Sequence, residues 1–335
     1  MNFNNNIDAP ASVSTVENFL QNGVGGDIAH RLIANDMEVS SLRNNATLTY
    51  DAWKKIDTAV LKEYQIRLQG IADLQAKGLT FQTDGLSQTV LQYQDESDIT
   101  DAELNMDGVN KTDRDRPEYD TNFLPLPIIS KDFSFSAREI AASRQNGNGL
   151  DVRMAEKAAR KVAEKAEEML FQGASSYTAG GGTIRGYEDH PNRNTGSVTA
   201  AWSTTTGANI LTDTIAMKNA AIADRKYGDW TLYVSNNIEG NLDQNFTTNY
   251  PVTIRQRILQ VAGITDVKVI DKMTADAVLL VSMQSDVVRL VQGMPITTLE
   301  WSTDGGMMVH FKVMTILVPQ IFADQSDRSG IIHYS

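Results

Sequence analysis

The four histidines are the side chains best suited to acid–base or metal chemistry near neutral pH, and they are widely separated: His30, His190, His310 and His333. Histidine metal sites normally show closely spaced ligands, so no such cluster is indicated. The chain contains no cysteine, which excludes disulfide bonds, thiolate catalysis and cysteine-ligated zinc or iron–sulfur sites. His310 falls on a predicted strand, and we expect it at the surface or in an interface rather than as a ligand or a base.

Three glycine-containing segments come close to known ligand-binding or catalytic motifs, and each lacks a required residue. Residues 181–186 have the outer glycine spacing of a phosphate-binding loop, but Tyr187 and Glu188 occupy the positions that need lysine and a hydroxyl residue. Residues 23–26 lack the third glycine of a dinucleotide-binding loop, and residues 173–177 lack the closing glycine of a nucleophile elbow. Nucleotide binding is therefore disfavoured. A catalytic serine triad is not excluded, since histidines are available, but no motif indicates one.

Acidic residues are concentrated between positions 95 and 120, where ten of them face three basic residues and give a net charge of −7. Residues 95–107 suggest a calcium loop at first sight, but the central glycine and the regular spacing of oxygen ligands are missing. We interpret the segment as a solvated acidic loop. The sequence thus predicts no catalytic residue, no cofactor-binding residue, no metal ligand and no bound cofactor.

The overall composition is that of an acidic globular protein, with 335 residues, a net charge of −12 and 41% hydrophobic residues. An acidic balance disfavours a dedicated DNA- or membrane-binding surface, because both need clustered lysine and arginine. The first basic residue is Arg31, and aliphatic runs such as 277–281 are only strand-length. We therefore expect neither a secretory signal nor a membrane span. The length by itself suggests about two to three domains.

Two long helices are predicted from apolar periodicity. Residues 51–68 place Trp53, Ile56, Val60, Tyr64 and Leu68 on one face, and Gly70 is expected to close that helix.

The second helix, 151–171, is the clearest in the chain and is followed by Gly173. Its predicted buried stripe steps by four and three residues: Ala155, Ala159, Val162, Ala166 and Met169. Five acidic and five basic residues occupy its other faces, as expected of a scaffold helix with a solvated surface.

The segment between these helices is poor in apolar residues. Residues 79–93 predict strands broken by a tight turn at Asp84 and Gly85, and residues 70–122 together cannot build a core of their own. We therefore expect this segment to be a disordered insertion or to lie on another subunit. A strand at 128–136 and a short helix at 137–142 follow.

The second half of the chain alternates between helical and strand patterns, which indicates a mixed α/β or an α+β organisation. The predicted helices are 211–226, 237–246 and 252–261. The predicted strands are 230–235, 267–270, 278–282, 287–291, 296–301 and 307–318, the last two joined by a turn at 303–306. The 1–49 segment, polar and rich in asparagine, is expected to be an extended arm or a tail with one short helix.

Several short segments occur in a recognisable order. They are Leu-Pro-Leu-Pro at 124–127, the strand to Phe135, Arg138-Glu139-Ile140, Leu150-Asp151, the helix sequence from Ala158 to Gly173, and Ile184-Arg185-Gly186-Tyr187. This series resembles the spine-helix region of HK-97-type shell proteins, which include tailed-phage major capsid proteins and encapsulins. Upstream, residues 53–57 resemble the helix that precedes the extended loop of these proteins. Downstream, the order of helix, strand, Tyr-Pro helix and terminal hairpin is similar too, so the resemblance covers roughly residues 50–335.

The resemblance implies an α+β fold of the HK-97 major-capsid type. Its parts would be an N-arm (1–49), the first helix of the P-domain (50–69), an E-loop (70–123), the P-domain with its spine helix at 151–171 (124–190), an A-domain with a mixed sheet and flanking helices (191–289), and the C-terminal P-domain strands (290–335). In this arrangement the E-loop would lie on a neighbouring subunit, which would explain why it lacks its own core.

The function implied by the resemblance is non-catalytic self-assembly into the icosahedral head shell of a tailed bacteriophage. The partners would be copies of the same chain in hexamers and pentamers, double-stranded DNA enclosed without sequence-specific binding, and portal, scaffold and decoration or cement proteins, with no membrane. The location would be the virion capsid, assembled in the host cytoplasm. An encapsulin-like compartment is the first alternative, and an α/β enzyme acting through residues 180–186 is the second. Some family members crosslink lysine to asparagine; Lys77 and Lys111 lie in the E-loop region, but no partner can be assigned.

Overall fold

The computed structural model describes residues 50–96, 119–145, 152–247, 250–324 and 328–335, together with Leu104, Met106 and Arg116. The chain is α+β and divides into two compact units. The first comprises Met1–Ile56, Asp132–Val152 and Leu299–Phe311, and the second comprises Asp57–Lys131, Arg153–Thr298 and Lys312–Ser335. The predicted N-arm lies outside the described residues, as does most of the predicted acidic loop.

The helices in chain order are α1 (Tyr50–Arg67), α2 (Gln69–Ala76), α3 (Ala137–Gln145), α4 (Arg153–Phe171), α5 (Gly207–Ala223), α6 (Glu239–Leu242) and α7 (Ile254–Leu259), with 3₁₀ turns at Asn236–Ile238 and Asp304–Gly306. The strands are β1 (Thr80–Gln82), β2 (Val90–Glu96), β3 (Tyr119–Pro125), β4 (Ile129–Ser136), β5 (Ala174–Ala179), β6 (Gly182–Ile184), β7 (Asn194–Gly196), β8 (Trp230–Ser235), β9 (Asn245–Thr247), β10 (Tyr250–Thr253), β11 (Ile264–Ile270), β12 (Val278–Ser282), β13 (Val288–Thr303), β14 (Met308–Ile321) and β15 (Ile331–Tyr334).

The five-stranded sheet of the second unit has the order β11-β8-β12-β15-β7. Strand β8 is parallel to β11 and antiparallel to β12, and every residue of β8 and β12 is buried. Their mostly apolar sequences, interrupted by Thr231 and ending in Ser235 and Ser282, follow from this position, because a central strand covered on both faces has no solvent side. Trp202, Ile210 and Met217 pack against this sheet and close its core.

A second sheet has the order β1-β13-β14-β4, with β1 parallel to β13. In β14, the residues Val309, Phe311 and Val313 are buried, and they alternate with the half-exposed Met308, His310 and Lys312. The side chains of β14 therefore alternate between a buried and a half-exposed face at these positions, while Met307, just before the strand, is exposed.

Within the first unit, the start of α3 is stabilised by a reciprocal capping box. The Glu139 backbone N–H donates to Ser136 Oγ, and the Ser136 backbone N–H donates back to a Glu139 carboxylate oxygen. Phe133, Phe135 and Phe311 form an aromatic cluster with ring centroids 5.1 to 6.0 Å apart. The aromatic residues of β4 and β14 thus supply the core of this unit.

Several sequence expectations need correction. Gly70 does not close the first helix: α1 ends at Arg67 and a second helix begins at Gln69. Asp84 and Gly85 do interrupt the strands as predicted, but the strands on either side do not pair with each other: β1 pairs with β13 and β2 pairs with β3. The strands predicted at 287–291 and 296–301 are one continuous strand, β13. The four residues of β15 were not predicted, because so short a segment carries no readable period.

Candidate assembly elements

The predicted position of helix α4 and its predicted buried face are both confirmed. The predicted stripe Ala155, Ala159, Val162, Ala166 and Met169 is buried, and Gly173 follows the helix with a φ of +76°, as expected of a helix-ending glycine. The last carbonyls of the helix accept hydrogen bonds from a distant segment: Tyr187 N–H donates to the Leu170 oxygen and Glu188 N–H to the Phe171 oxygen. The end of α4 is therefore tied to the segment that follows β6.

Glu167 departs from the expectation of solvated charges on α4. It is only 3% exposed, and its carboxylate accepts hydrogen bonds from the backbone N–H of Gly70 at 2.6 Å and of Ile71 at 3.5 Å. Helix α2 has no side-chain cap of its own at Leu68, so a carboxylate from α4 takes that role. Burial raises the pKa of Glu167 to about 7, although the two N–H donors oppose the increase.

A buried polar contact joins α2 to the five-stranded sheet. The Tyr233 hydroxyl donates to Asp73 at 3.0 Å, and Lys268 forms an ion pair with the same carboxylate. The Phe171 ring packs edge-on against Tyr187 and Tyr233, with centroids 5.5 and 5.2 Å away. Asp73, Glu167 and this aromatic group therefore form one junction between α2, α4, β8 and β11. Sequence reasoning missed the junction, because Asp73 and Glu167 are acidic residues without a motif.

The β2–β3 hairpin begins in the core and leads to the acidic segment. Its antiparallel register runs through seven pairs, from Val90 opposite Pro125 to Glu96 opposite Tyr119. At the base, Leu124 is 4% exposed and belongs to the cluster around Val291 and Ile316. Farther along the hairpin, Phe123 is 40% exposed and Tyr119 is 57% exposed, so the strands gain exposed aromatic residues as they leave this core.

The Gly180–Gly182 segment is a turn between β5 and β6 that contacts the base of this hairpin. Gly180 and Gly181 have φ values of +59° and +84°, which favour glycine. A Cβ on Gly182 would lie 1.9 Å from the Phe123 carbonyl oxygen, and one on Gly180 would lie 2.7 Å from the Val90 side chain. The glycines therefore allow close backbone approach between two hairpins. No helix follows β6, so the segment lacks the architecture of a phosphate-binding loop.

Helix α5 has an outer face without charged residues. Its seventeen residues include only two charged side chains, Asp213 and Lys218. Asp213 is buried and accepts a hydrogen bond from Trp202 Nε1 at 2.9 Å, while the Lys218 ammonium lies 5.9 Å from the Trp230 ring. The exposed residues are Ala208, Thr212, Ile215, Ala216, Asn219, Ile222 and Ala223. This outer face is therefore uncharged and mixed, with the apolar Ile215 and Ile222 beside the polar Thr212 and Asn219.

His190 and His333 both accept hydrogen bonds from Arg193. His190 is buried, and its Nδ1 accepts a hydrogen bond from the Asn192 backbone at 3.3 Å. Burial, reinforced by Arg185 and Arg193, lowers its pKa to about 4. Burial also lowers the pKa of His333, whose Nδ1 accepts from Arg193 at 3.2 Å.

His310 stacks on Trp301 with centroids 5.4 Å apart and hydrogen-bonds Thr303 at 2.8 Å. His30 and Lys111 lie outside the described residues, and Lys77 is exposed at the end of α2. Within the described ranges, no three acidic or histidine side chains come together as metal ligands. None of the helices described is long and apolar enough to span a membrane.

Comparison with known proteins identifies the family and the fold. Residues 43–334 match a family model described as "Family of unknown function (DUF6260)". No match was found among curated proteins.

Solved shell structures are similar over most of the chain. A virus-like particle from Pyrococcus furiosus matches with 16% identity and a TM-score of 0.59, covering 84% of this chain and 98% of that one. The capsid of Myoviridae phage XM1 matches with 11% identity and a TM-score of 0.60, covering 77% and 90%. The capsid of a native GTA particle matches with 12% identity and a TM-score of 0.56, covering 80% and 90%. The chain therefore belongs to the family described as DUF6260, and its fold is the HK-97-type fold of tailed-phage capsid proteins and encapsulins.

Proposed function

We propose that this chain is a major capsid protein that self-assembles into the icosahedral head shell around the double-stranded DNA of a tailed bacteriophage. The fold shared with shell proteins is the observation that carries the proposal. The β2–β3 hairpin and the uncharged outer face of α5 support it, because both leave apolar or aromatic surface that a second copy of the chain would bury. The role is structural, without catalysis.

Within this proposal, each segment of the chain corresponds to one part of the capsid-protein fold. The 1–49 segment is the N-arm, residues 70–123 contain the E-loop, and α4 is the spine helix of a P-domain that spans 124–190 and 290–335. Residues 191–289 form the A-domain and supply four strands of the five-stranded sheet, while the fifth strand, β15, comes from the C-terminal segment. The hairpin starts at core residues such as Leu124, which supports its role as an arm anchored in one subunit and extended over a neighbour.

The charge of the chain suits a container for DNA. A net charge of −12 limits adhesion of DNA to the shell during packaging, because nonspecific DNA binding depends on clustered basic residues. Assembly would rest on many weak contacts around a closed lattice. Portal, scaffold and decoration proteins are the further partners, and the virion, assembled in the host cytoplasm, is the location.

A protein compartment of the encapsulin type is the second candidate. The match to the Pyrococcus furiosus virus-like particle favours it, because that match covers 98% of the particle's chain. The length of the acidic hairpin region favours the phage capsid, since compact compartments have a shorter one.

Electron microscopy of two samples separates these functions. One sample is the chain expressed and purified alone, and the other is particles isolated from infected or producing cells. The phage proposal predicts icosahedral shells, which are filled with DNA and carry tails in particles from cells. Shells filled with protein cargo would replace the phage proposal with the compartment. A small discrete oligomer with a bound small molecule would contradict both and favour an enzyme.

A further inference from the structure

Arg289, near the start of β13, is held between two aromatic rings. Its guanidinium carbon lies 4.5 Å from the Phe81 ring centroid and 4.9 Å from the Phe322 ring centroid. Its Nε donates a hydrogen bond to Gln320 Oε1 at 2.7 Å. These contacts come from β1, β14 and the residue after β14, so the guanidinium plane is oriented from three sides.

The terminal nitrogens of this guanidinium lack an acidic partner. Within the described ranges, no carboxylate lies at ion-pair distance from Arg289, and Gln320 is the residue that its side chain hydrogen-bonds. Arg160, Arg185 and Arg255, by contrast, each lie 3.0 to 3.9 Å from a carboxylate oxygen.

Gln320 adds a second unused donor at the same place. Its side chain is 1% exposed, and its Nε2 has no hydrogen-bond partner in the described part of the chain. A buried amide without a partner is costly. Within the described residues, Arg289 therefore presents donors without an acidic partner beside exposed aromatic surface at Phe81, while the unpaired Gln320 amide lies buried behind it.

The acceptor that fits this site is a carboxylate, because a planar guanidinium binds carboxylates through two parallel hydrogen bonds. The acidic segment 95–120 carries a net charge of −7 and is the matching source of carboxylates within this protein. Within one chain, β2 passes beside this site and continues beyond it. Tyr93, whose ring lies 5.9 Å from Phe322, precedes the end of β2 by three residues, which is about 10 Å of extended strand.

We infer that Arg289, supported by Phe81, Phe322 and Gln320, binds a carboxylate from the acidic segment 95–120 of an adjacent copy of the chain. This inference rests on the proposed shell function and adds a specific contact to it. The contact would recur at equivalent positions around the lattice, so a modest interaction in each copy would contribute strongly to shell stability.

Zero-length crosslinking tests the contact directly. Shells are assembled from a mixture of isotopically labelled and unlabelled R289K chains and treated with a carbodiimide, which couples a lysine amine to a carboxylate in contact with it. The expected product is an isopeptide between position 289 and a peptide from 95–120 that joins a labelled chain to an unlabelled one. R257K is the matched control, because Arg257 lies on α7 without ring contacts and reaches only Gln260 at 3.5 Å. A product confined to single chains, or no product at position 289, would overturn the inference.

The release of subunits in denaturant gives a second readout. R289Q shells should release subunits at least roughly tenfold faster than wild-type shells, because a hydrogen-bonded charge is lost, whereas R257Q shells should match the wild type. Equal release from R289Q and wild-type shells would count against the inference and leave the proposed function intact. Failure of the wild-type chain to form shells would instead remove the proposed function itself.

Discussion

Glu167 is an acidic residue whose sequence pattern predicts exposure to solvent but whose side chain is buried in the structure. Its place on α4 next to Glu168 suggests a solvated carboxylate. In the structure, however, α2 covers this side chain, and its carboxylate accepts hydrogen bonds from N–H groups in the first turn of α2. Because desolvation favours the neutral form, the carboxyl group holds its proton to a higher pH than an exposed glutamate does.

This residue predicts a specific pH dependence of stability. Between the ordinary pKa of 4.5 and the raised value of about 7, the folded chain binds more protons than the unfolded chain. The contribution of Glu167 to the free energy of unfolding therefore falls as pH rises through this interval, by about 3 kcal/mol. E167Q should remove that slope, which urea unfolding of unassembled subunits at several pH values between about 5 and 8 would measure.

Glu164 offers a matched control one turn earlier on the same helix. A hydrogen bond from Lys161 lowers the pKa of Glu164, so its contribution is present at neutral pH and is lost as pH falls. E164Q should therefore leave the decline between pH 5 and 8 in place. Parallel stability curves for E167Q and the wild type would show that Glu167 does not titrate in this range.

At the scale of elements, α4 and α5 illustrate two ways to form a surface. The outer faces of α4 carry ion pairs such as Lys161 with Glu164 and Lys165 with Glu168, each at 2.7 Å, which suit contact with water. The outer face of α5 has no charge and exposes Ile215 and Ile222. This difference indicates that α5 is covered when the protein performs its function.

Placing a charge on α5 should therefore affect assembly and spare folding. Ile215 is 43% exposed, so I215E should unfold thermally close to the wild type. In a shell the new carboxylate would be buried without a partner, and assembly should be lost or need a much higher protein concentration. Sedimentation measures the fraction assembled. Gln260→Glu, at an exposed position after α7, adds the same charge and should assemble normally. Equal assembly of I215E and the wild type would mean that α5 stays exposed.

Among the strands, sequence patterns predict some and miss others. Strands β8 and β12 were predicted with the observed bounds, because their apolar runs are long enough to stand out. Strand β15 was missed, since it exists only through pairing with β12 and β7. Gly180 and Gly181 form the turn between β5 and β6, whereas Gly182 belongs to β6, and its contact with Phe123 depends on a hairpin nearly sixty residues earlier in the chain.

At the scale of the whole molecule, folding and assembly should be separable. Replacing residues 94–121 with an Asn-Gly turn would keep the paired base from Val90 opposite Pro125 to Tyr93 opposite Asn122, because such a turn closes a two-residue hairpin. The shortened chain should fold cooperatively, since core residues such as Leu124 and Ile316 are retained. Shell formation should be lost, as judged by electron microscopy.

A control chain would keep the full length and replace only 97–118 with an uncharged glycine–serine linker. It tests whether the acidic residues matter beyond the length of the hairpin, and it too should fold. Normal shells from the shortened chain would contradict the role of the hairpin in assembly.

The sequence by itself determined the α+β class, the position and buried stripe of α4, the central strands, the lack of cysteine chemistry and the concentration of negative charge in one segment. These features depend on residue type and on periods of two or about 3.6 residues, which are local. Three contacts were decided only by the tertiary structure. Glu167 caps α2, the glycines at 180–182 contact the β2–β3 hairpin, and Arg289 packs against the rings of Phe81 and Phe322. Each of these contacts joins residues from about thirty to more than two hundred positions apart, and burial and pairing at such separations follow from chain topology rather than from any local pattern.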